Sequence, residues 1–314
     1  MGKLYVIGEM LIDFTARECA AAEEVRTFEK NAGGAPANVA VCAARLGARS
    51  AVITKLGKDA FGRFLRKTLT DEGVDTQYVF ETDEAHTALA FVFLDEAGGR
   101  EFLFYRDPSA DLLLDEREVS GIPFKRGDIL HFGSVDLVNY PVKRATERAI
   151  ERARAAGALV SFDPNLRYPL WKSREELLST VRNFLPMADI VKVSEEELSD
   201  ITGIREQTQA ARILLHGNTK AVFVTAGADG AAVYTGSAYA AMPSEKAVCV
   251  DATGAGDTFA GTILYQYLRD GLRDASTLTE DRMKEYLYYA NRAAAVTVSG
   301  RGAIPSMPFA GQIF

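Results

Sequence analysis

The feature that most constrains the fold is a repeated alternation of short apolar runs with amphipathic segments. Strand-like runs at 129–132 and 159–162 are separated by a helix-like segment at 142–156, and this order predicts βαβ units. Two later runs, 189–193 and 221–225, are apolar at nearly every position. Such runs are typical of central parallel strands that are covered on both faces. The sequence therefore predicts a doubly wound α/β fold.

A different pattern interrupts this alternation near the middle of the N-terminal half. Strand-like stretches at 87–94 and 100–105 flank the turn-rich sequence Asp-Glu-Ala-Gly-Gly, which predicts an antiparallel hairpin. We expect this hairpin to belong to a small β lid. No low-complexity linker or repeat divides the 314 residues, so a second independent domain is not expected.

Composition and charge narrow the classes of function. Hydrophobic residues make up 47% of the chain and charged residues 25%, as in ordinary globular proteins. The net charge of −7 disfavours nucleic-acid binding, which needs an excess of Lys and Arg. The three cysteines are widely spaced, and this favours a reducing compartment over a disulfide framework. No secretory signal or membrane-spanning stretch is recognisable, so we expect a cytoplasmic protein without membrane or nucleic-acid partners.

The most informative segment is a glycine-rich turn, Asp-Ala-Thr-Gly-Ala-Gly-Asp, at 251–257. A strand-like run at 247–250 precedes it, and an apolar helix is expected at 258–269. The small side chains of the turn let N–H groups at the helix N-terminus approach a phosphate closely. Such an anion hole stabilises the charge of a phosphoryl group in transfer. The residues that would form it are Gly254, Ala255 and Gly256.

Asp257 ends the turn, and its position beside the expected anion hole indicates a general base. A carboxylate there can take the proton of an attacking hydroxyl group. The same residues also fit a structural role, because aspartates cap helices and glycines form turns in many proteins. A Walker A loop and a complete G-x-G-x-x-G motif are both absent from the sequence, which disfavours P-loop and dinucleotide-binding folds.

Motifs along nearly the whole chain resemble those of the ribokinase-like (PfkB) sugar kinases. The turn at 251–257 resembles the D-T-x-G-A-G-D motif of that family. Gly-Gly-Ala-Pro-Ala-Asn at 33–38, followed by an apolar helix, resembles its first motif, which the segment at 57–62 extends. The family pattern is also matched near the two ends of the chain, by Gly-Glu-Met-Leu-Ile-Asp at 8–13 and by Gly-Ala-Ile-Pro at 302–305.

This resemblance implies an α/β, ribokinase-like three-layer fold with a mainly parallel central sheet, helices on both faces and a small β lid. It implies one kinase domain over residues 1–314, with the lid formed by parts of about 12–30 and 86–107. It further implies transfer of the γ-phosphoryl group of ATP, with Mg²⁺, to a sugar hydroxyl group.

The resemblance also assigns roles to individual residues. It makes Asp257 the base and the turn at 254–256 the anion hole, in agreement with the inference from the residues. A carboxylate and an amide are suited to binding adjacent sugar hydroxyls, although Asp13 alone would equally fit a turn at a strand end. The residues implied to hold the sugar in this part of the chain are Asp13, Gly33, Gly34 and Asn38.

The sequence Lys-Val-Ser-Glu-Glu-Glu that ends at Glu197 resembles the N-x-x-E motif of the family. The resemblance implies that Glu197 organises Mg²⁺ and phosphates through water and that Lys192 lies at the nucleotide. Ser194 stands where the family has Asn, and Ala252 stands where it has Thr. The two glutamates before Glu197 fit a solvated helix start, where acidic side chains complement the helix dipole.

Thr-Ala-Gly-Ala-Asp-Gly at 225–230 resembles the nucleotide loop of the family. From the residues alone, an ordinary hairpin and a solvated asparagine on a helix would explain the same positions. The resemblance implies that ATP is bound by Thr225, Gly227, Gly230 and Asn291, with Asn291 near the adenine.

Family members often bind a monovalent cation near the anion hole. The matching segments lie on either side of the turn, and backbone carbonyls dominate such sites. A potassium site is therefore expected near Asp251, Thr253, Gly302 and Ser306.

Two sequence segments indicate which sugar the protein binds. Phe-Asp-Pro-Asn-Leu-Arg, which ends at Arg167, resembles fructokinases and 2-keto-3-deoxygluconate kinases. Arg167 suits a phosphate or carboxylate and is expected to act in catalysis and substrate binding, although a surface ion pair is the alternative. Phe-Tyr-Arg-Asp-Pro-Ser-Ala-Asp at 104–111 looks like the fructokinase phrase Y-R-N-P-S-A-D, and Tyr105 and Arg106 within it are expected to contact the substrate.

The substitution of Asp107 for the Asn of that phrase favours a neutral sugar, because an inward-pointing carboxylate would repel an acidic substrate. Fructose, converted to fructose 6-phosphate, is therefore the first choice. The alternatives are 2-keto-3-deoxygluconate, ribose or another substrate of the family. A non-catalytic sugar or nucleotide sensor is the rival class, because a fold does not establish chemistry.

The lid also predicts an oligomer. Its hairpin is expected to expose strand edges and apolar residues such as Phe91 and Phe93. Unpaired edges and apolar surface favour pairing with a second copy. We therefore expect a homodimer formed through the lid.

Overall fold

The described part of the chain contains two β-sheets, one of nine strands and one of four. The structure is a computed structural model that describes residues 1–94 and 100–314. The turn predicted at 95–99 lies outside the described residues. In chain order the strands are β1 (Lys3–Ile7), β2 (Leu11–Cys19), β3 (Phe28–Gly33), β4 (Arg49–Gly57), β5 (Val79–Thr82), β6 (Leu89–Leu94), β7 (Arg100–Tyr105), β8 (Ile129–Gly133), β9 (Leu159–Asp163), β10 (Ile190–Ser194), β11 (Ala221–Thr225), β12 (Ala231–Thr235) and β13 (Tyr239–Met242).

The helices connect these strands in the alternation that the sequence predicts. No helix within residues 1–94 and 100–314 is both long enough and apolar enough to cross a membrane. In chain order the helices are α1 (Ala35–Arg45), α2 (Ala60–Asp71), α3 (Glu116–Val119), α4 (Pro141–Ala155), α5 (Arg174–Phe184), α6 (Glu195–Thr202), α7 (Gln207–Leu214), α8 (Ala255–Arg269), α9 (Glu280–Val298), α10 (Ala303–Ser306) and α11 (Ala310–Ile313).

The nine-stranded sheet has the order β13-β12-β11-β10-β9-β8-β1-β4-β5. Strands from β11 to β5 pair in parallel, whereas β12 and β13 pair antiparallel at one edge. The predicted mainly parallel sheet is confirmed. The direction of winding reverses between β8 and β1, and ligands of such folds bind outside the carboxyl ends of the strands at this reversal.

Helices cover both faces of this sheet, as predicted. The alternation of β1 shows why: Leu4 and Val6 pack into a core with α1, α8 and α9, whereas Tyr5 and Ile7 pack into a second core with α4 and α5. Successive side chains of a strand point to opposite faces, so a strand that is buried on both sides needs apolar residues throughout. This arrangement gives the three layers.

Helices α1 and α8 approach each other closely at one point. A Cβ atom on Gly261 would lie 2.8 Å from the Cβ of Cys42, so a glycine is required there. The Cys42 thiol donates to the carbonyl oxygen of Thr258 at 3.4 Å. The close approach at Gly261 and the hydrogen bond of Cys42 therefore fix the two helices against each other.

The smaller sheet has the order β3-β2-β6-β7, and β6 and β7 pair antiparallel as predicted. Strands β6 and β7 lie within the segment predicted at 86–107, whereas β2 and β3 extend beyond the one predicted at 12–30, to Leu11 and Gly33. Phe91 and Phe93 are partly buried, because each packs edge-to-face against Phe28. The prediction that they are exposed is therefore wrong. The exposed apolar side chains lie on β7 instead: Phe102, Leu103 and Tyr105.

The strand predicted at 247–250 is wrong. This segment has no regular secondary structure, and Val248 and Val250 are 79% and 53% exposed. The N–H groups of Val250 and Asp251 both donate to the carbonyl oxygen of Val298 at the end of α9. The segment therefore bonds to a helix end at Val250 and pairs with no strand among the described residues. Helix α8 also begins three residues earlier than predicted, at Ala255.

Candidate active site

A cavity of about 230 Å³ lies at the carboxyl edge of the large sheet, next to the reversal between β1 and β8. Phe102 and Phe104 of the smaller sheet also line it, so both sheets contribute to its wall. Side chains from segments far apart in the sequence meet here. The predicted residues that line it are Asp13, Gly34, Asn38, Arg167, Lys192, Thr253, Gly254, Gly256 and Asp257.

The glycine turn is held rigidly at the N-terminus of α8. Gly254 has φ +81°, and a Cβ there would lie 2.6 Å from the Cβ of Ala303. The Asp251 carboxylate accepts hydrogen bonds from the N–H of Thr253 at 2.9 Å and from the N–H of Gly302 at 2.9 Å. The first turn of a helix leaves its N–H groups unpaired and presents the positive end of the dipole. The turn is therefore suited to bind an anion in the cavity.

Asp257 lies in the first turn of α8, where its Oδ2 accepts a hydrogen bond from Nδ2 of Asn38 at 2.8 Å. The pKa of Asp257 is raised to about 6, chiefly by burial and also by the Asp163 carboxylate, while the Asn38 hydrogen bond and the charges of Lys192 and Arg167 oppose the increase. A pKa near the working pH suits a general base, because such a group is ionised yet still basic.

Asp13 of β2 lies in the same cavity. Burial raises the pKa of its carboxyl to about 7, and the negative charge of Asp257 adds to this increase, while Arg167 lowers the pKa. A Cβ on Gly33 would overlap the Asp13 carboxylate, and one on Gly34, which has φ +108°, would lie 2.5 Å from the carbonyl oxygen of Glu9. Both glycines thus allow the backbone to pass close to the site.

Lys192 extends from the middle of β10 toward the anion hole. Its Nζ lies 3.0 Å from Oδ2 of Asp163 and 3.0 Å from the position that a Cβ on Gly256 would occupy. Burial lowers the pKa of Lys192, but the Asp163, Glu197 and Asp257 carboxylates raise it overall above its ordinary value. The ammonium group is therefore charged beside the turn.

Glu197 and Ser194 form a capping box at the start of α6. Glu197 Oε2 accepts from the N–H of Ser194 at 2.8 Å, and Ser194 Oγ accepts from the N–H of Glu197 at 3.1 Å. Glu197 Oε1 accepts from the N–H of Leu166 at 2.7 Å, which fixes the loop that carries Arg167. The preceding Glu195 and Glu196 are exposed, as predicted.

The described residues contain no group of three or more His, Cys, Asp or Glu side chains arranged to hold a metal ion. A Mg²⁺ ion that keeps several waters needs only one or two carboxylates besides the phosphates. A carboxylate offers about four lone-pair sites, and two backbone N–H groups occupy part of those of Glu197. Glu197 therefore fits a magnesium site that is reached through water.

Arg167 makes no ion pair with a described carboxylate. Its Nη1 donates to the carbonyl oxygen of Leu166 at 3.1 Å, and its side chain lines the cavity. Its positive charge lowers the pKa of both Asp13 and Asp257. The alternative of a surface ion pair is not observed.

The residues predicted to bind the nucleotide gather at the ends of β10 to β13. Thr225 is paired with Ser194 across β10 and β11, and Gly227 and Gly230 have φ +54° and +103°. Asn291 is 4% exposed, and its Nδ2 donates to the carbonyl oxygen of Met242 at 3.0 Å. The alternative of a solvated Asn291 is therefore wrong, because its amide holds the backbone beyond β13. Contact with ATP stays a prediction.

Of the residues predicted to bind potassium, Asp251, Thr253 and Gly302 are joined directly by the hydrogen bonds of the turn. Ser306 lies on the adjacent α10, where its hydroxyl donates to the carbonyl oxygen of Arg301 at 2.9 Å. The site of a cation stays a prediction.

Tyr105 and Arg106 do not line the cavity that contains Asp257. They line a separate cavity of about 580 Å³, which is largely apolar. Tyr105 is 59% exposed, whereas the buried guanidinium of Arg106 is paired with the carboxylates of Asp111 and Asp136. The structure thus does not bring Tyr105 and Arg106 to the predicted sugar site, because two carboxylates draw Arg106 into the core.

Asp107 does not point into the cavity, so the argument that its charge would repel an acidic substrate does not apply. Its carboxylate accepts a hydrogen bond from the Tyr140 hydroxyl at 2.9 Å, in exposed surroundings. Glu9 is a further carboxyl that lines the cavity, and the sequence did not indicate it. Glu9 Oε1 accepts from the N–H of Ala35 at 3.0 Å, and burial and the charge of Asp136 raise its pKa to about 8.

The fold and the site together define an α/β phosphotransferase, in which a helix N-terminus and a carboxylate face one cavity. A comparison with known families agrees, since the model of the "pfkB family carbohydrate kinase" matches residues 1–310. The chain belongs to the pfkB family of carbohydrate kinases.

Individual relatives are similar over nearly their whole length. Fructokinase-1 of Zea mays is 44% identical over 308 residues, which cover 98% of this chain and 94% of that protein. The crystal structure of a fructokinase from Xylella fastidiosa with bound ATP has a TM-score of 0.88 and 34% identity, with 99% and 96% of the two chains covered. A fructokinase from Vibrio cholerae O395, in a form with fructose, ADP and calcium ion, has a TM-score of 0.86 and 36% identity, with 98% and 96% covered.

Proposed function

We propose that this protein is a fructokinase, which transfers the γ-phosphoryl group of ATP to the 6-hydroxyl of fructose. The observation that carries the proposal is the position of the Asp257 carboxylate, directly in the first turn of α8 and in a cavity that Asp13 and Asn38 also line. The similarity to fructokinases of Zea mays and Vibrio cholerae supports fructose as the acceptor.

In the proposed reaction Asp257 takes the proton of the acceptor hydroxyl. The hydroxyl oxygen forms a bond to the γ-phosphorus, the bond between that phosphorus and the bridging oxygen breaks, and ADP leaves. The N–H groups at the start of α8, with Lys192 and Arg167, stabilise the negative charge on the transferred group. Asp13 and Asn38 orient the sugar by accepting from and donating to its hydroxyls.

Magnesium is the proposed metal, and it would neutralise phosphate charge when bound. Glu197 would hold it through water, because two backbone N–H groups occupy only part of its carboxylate. A potassium ion near Asp251 and Gly302 is proposed as well, and it would add positive charge beside the turn. Measuring turnover with and without each cation, at constant ionic strength, tests both assignments.

A substrate panel tests the proposed acceptor. The purified protein is incubated with Mg-ATP and fructose, ribose, tagatose, adenosine or 2-keto-3-deoxygluconate, and kcat/KM is measured for each. Fructose is expected to rank first. Another sugar ranking far above fructose would replace fructose as the substrate, while ligand-dependent melting without formation of ADP would indicate a non-catalytic sensor.

We also propose that the smaller sheet acts as a lid and that two lids pair in a homodimer. Its strand β7 is an edge strand that exposes Leu103 and Tyr105, at 46% and 59%, and exposed apolar edges favour pairing. Light scattering coupled to size exclusion is expected to give the dimer mass, and a monomer mass alone would contradict the pairing.

A cytoplasmic location, the compartment that supplies ATP, is proposed on the basis of free Cys42 and Cys249 and is tested by cell fractionation.

A further inference from the structure

The carboxylate of Asp163 is a buried group to which the proposed reaction gives no role. Asp163 ends β9 and is 4% exposed. Its Oδ2 lies 3.0 Å from Nζ of Lys192, and its Oδ1 is buried with no hydrogen-bond partner among the described residues. Burying a carboxylate is costly unless its charge is compensated. Asp163 is therefore expected to have a function that outweighs this cost.

The strand register explains why Asp163 meets Lys192. Val191 of β10 is paired with Phe162 of β9, so the next residues of the two strands, Lys192 and Asp163, lie side by side on neighbouring strands. A lysine ammonium is a point charge on a flexible four-carbon chain. Without a fixed partner, this group would sample several positions in the cavity.

The alternative partner for Asp163 is His131 of the neighbouring strand β8. Burial and the nearby charge of Lys192 lower the pKa of His131 to about 3, so its ring is neutral at physiological pH. The Nδ1 of this ring is within 3.0 Å of the Ser161 hydroxyl. His131 therefore does not compensate the charge of Asp163, and Lys192 does.

We propose that Asp163 is a positioning residue for phosphoryl transfer, because its carboxylate holds the Lys192 ammonium against the Gly254–Gly256 turn. The inference rests on the proposed kinase function. Lys192 is then placed where the charge of the transferred group develops, at the position that a side chain on Gly256 would otherwise reach. Fixing a charge in advance in this way lowers the cost of reorganisation during the reaction.

The same carboxylate influences the base. Its negative charge raises the pKa of Asp257, so removing it makes Asp257 less basic. A residue with a purely structural role would not change this property. The other charged groups that face Asp257 are Lys192, Arg167 and Asp13.

The test is the variant Asp163→Asn, compared with wild type. We expect kcat to fall by about 10- to 100-fold and KM for ATP to rise, whereas KM for fructose stays unchanged. The acid limb of the kcat/KM profile is expected to move to lower pH, by about half a unit or more. The matched control is Asp189→Asn at the opposite end of β10, where the carboxylate accepts from the N–H of Val160 at 2.8 Å and pairs with Arg154. This control is expected to leave kcat and the acid limb unchanged.

A double-mutant cycle with Lys192→Met decides whether Asp163 acts through Lys192. If it does, Asp163→Asn causes no further loss of kcat in the Lys192→Met background. The double variant removes both charges together, so the cycle remains informative if Asp163→Asn alone folds poorly. Additive losses, or an acid limb that does not move, would overturn the proposal.

Calorimetry of a non-hydrolysable ATP analogue with Mg²⁺ provides a measurement that needs no turnover. Asp163→Asn is expected to weaken binding of the analogue by about 10-fold, and unchanged affinity would contradict the positioning role. A wild-type protein that phosphorylates no sugar would contradict the proposed function, while the affinity ratio would still decide the role of Asp163.

Discussion

Replacing Asp257 by Asn separates the catalytic role of this carboxylate from its effect on stability. The amide keeps the size of the side chain and can still accept the hydrogen bond that Asn38 donates at 2.8 Å. It cannot take a proton from the sugar hydroxyl. Loss of a general base lowers turnover by about 100- to 10,000-fold, so we expect a decrease in kcat of that size with fructose at pH 8.

The same substitution is expected to stabilise the fold. Burial raises the pKa of Asp257 from 3.8 to about 6, so the folded state binds more protons than the unfolded state between these values. Stability therefore falls as the pH rises through this window, and the full destabilisation, about 3 kcal/mol, is present above pH 6. Because the cavity leaves Asp257 partly exposed, about half of this gain is a realistic expectation for the variant.

The assay is Tm by differential scanning fluorimetry at pH 8 and pH 4, together with kcat. Asp257→Asn is expected to melt a few degrees above wild type at pH 8 and to lose this advantage near pH 4. Asp270→Asn is the control at the other end of α8, where the carboxylate pairs with Arg269 at 2.8 Å and accepts from Tyr286. It should lose stability at pH 8 without loss of kcat. A variant at position 257 with kcat within 10-fold of wild type, or with a lower Tm at pH 8, would refute the assignment of a buried base.

Three further predictions follow from the geometry of the site. Because the acidic pKa values of Asp257 and Asp13 are about 6 and 7, kcat/KM for fructose should fall as the pH decreases through this range; a flat profile from pH 8 to pH 5 would exclude both carboxylates. Gly254→Ala should be more harmful than Gly256→Ala in Tm and kcat, because it combines φ +81° with a contact of 2.6 Å to Ala303, whereas the added methyl at 256 meets the flexible end of Lys192; equal effects would contradict this. Arg106→Met should lower the free energy of unfolding by about 3–5 kcal/mol, because it leaves two buried carboxylates without their cation, and denaturant titration showing less than 1 kcal/mol would contradict this.

The sequence predicts the large sheet well because its central strands are buried on both faces. The runs at 189–193 and 221–225 are apolar throughout, and they correspond to β10 and β11. The run at 247–250 has a similar composition but is not a strand, and its last N–H, that of Val250, donates to the end of α9. A local pattern does not reveal whether a partner strand is present, so this error could not be avoided from the sequence.

In the site, too, the sequence indicates residues that are close together along the chain and misses contacts that depend on the sheet order. The turn with Asp257 is recognisable because all of its chemistry lies within seven consecutive residues. Asp163 was missed because its partner Lys192 lies on a neighbouring strand, and only the sheet order brings the two together. Arg106 was misplaced for the same reason, since its contact with Asp136 depends on the end of β8. An Asp at the end of one buried strand, followed by a Lys within the next buried strand, is the signal that would have indicated the first pair.

The close approach of α1 and α8 has a consequence for how the enzyme can move. Asn38 is on α1 and Asp257 is on α8, and the glycine-to-cysteine contact between these helices leaves no room for them to slide. The Asn38 amide and the proposed base Asp257 therefore move together, whatever the smaller sheet does. Opening and closing would change access to the cavity while the spacing of Asn38 and Asp257 stays constant, so a larger residue at position 42 or 261 should act as a wedge between the helices from about one helical turn away.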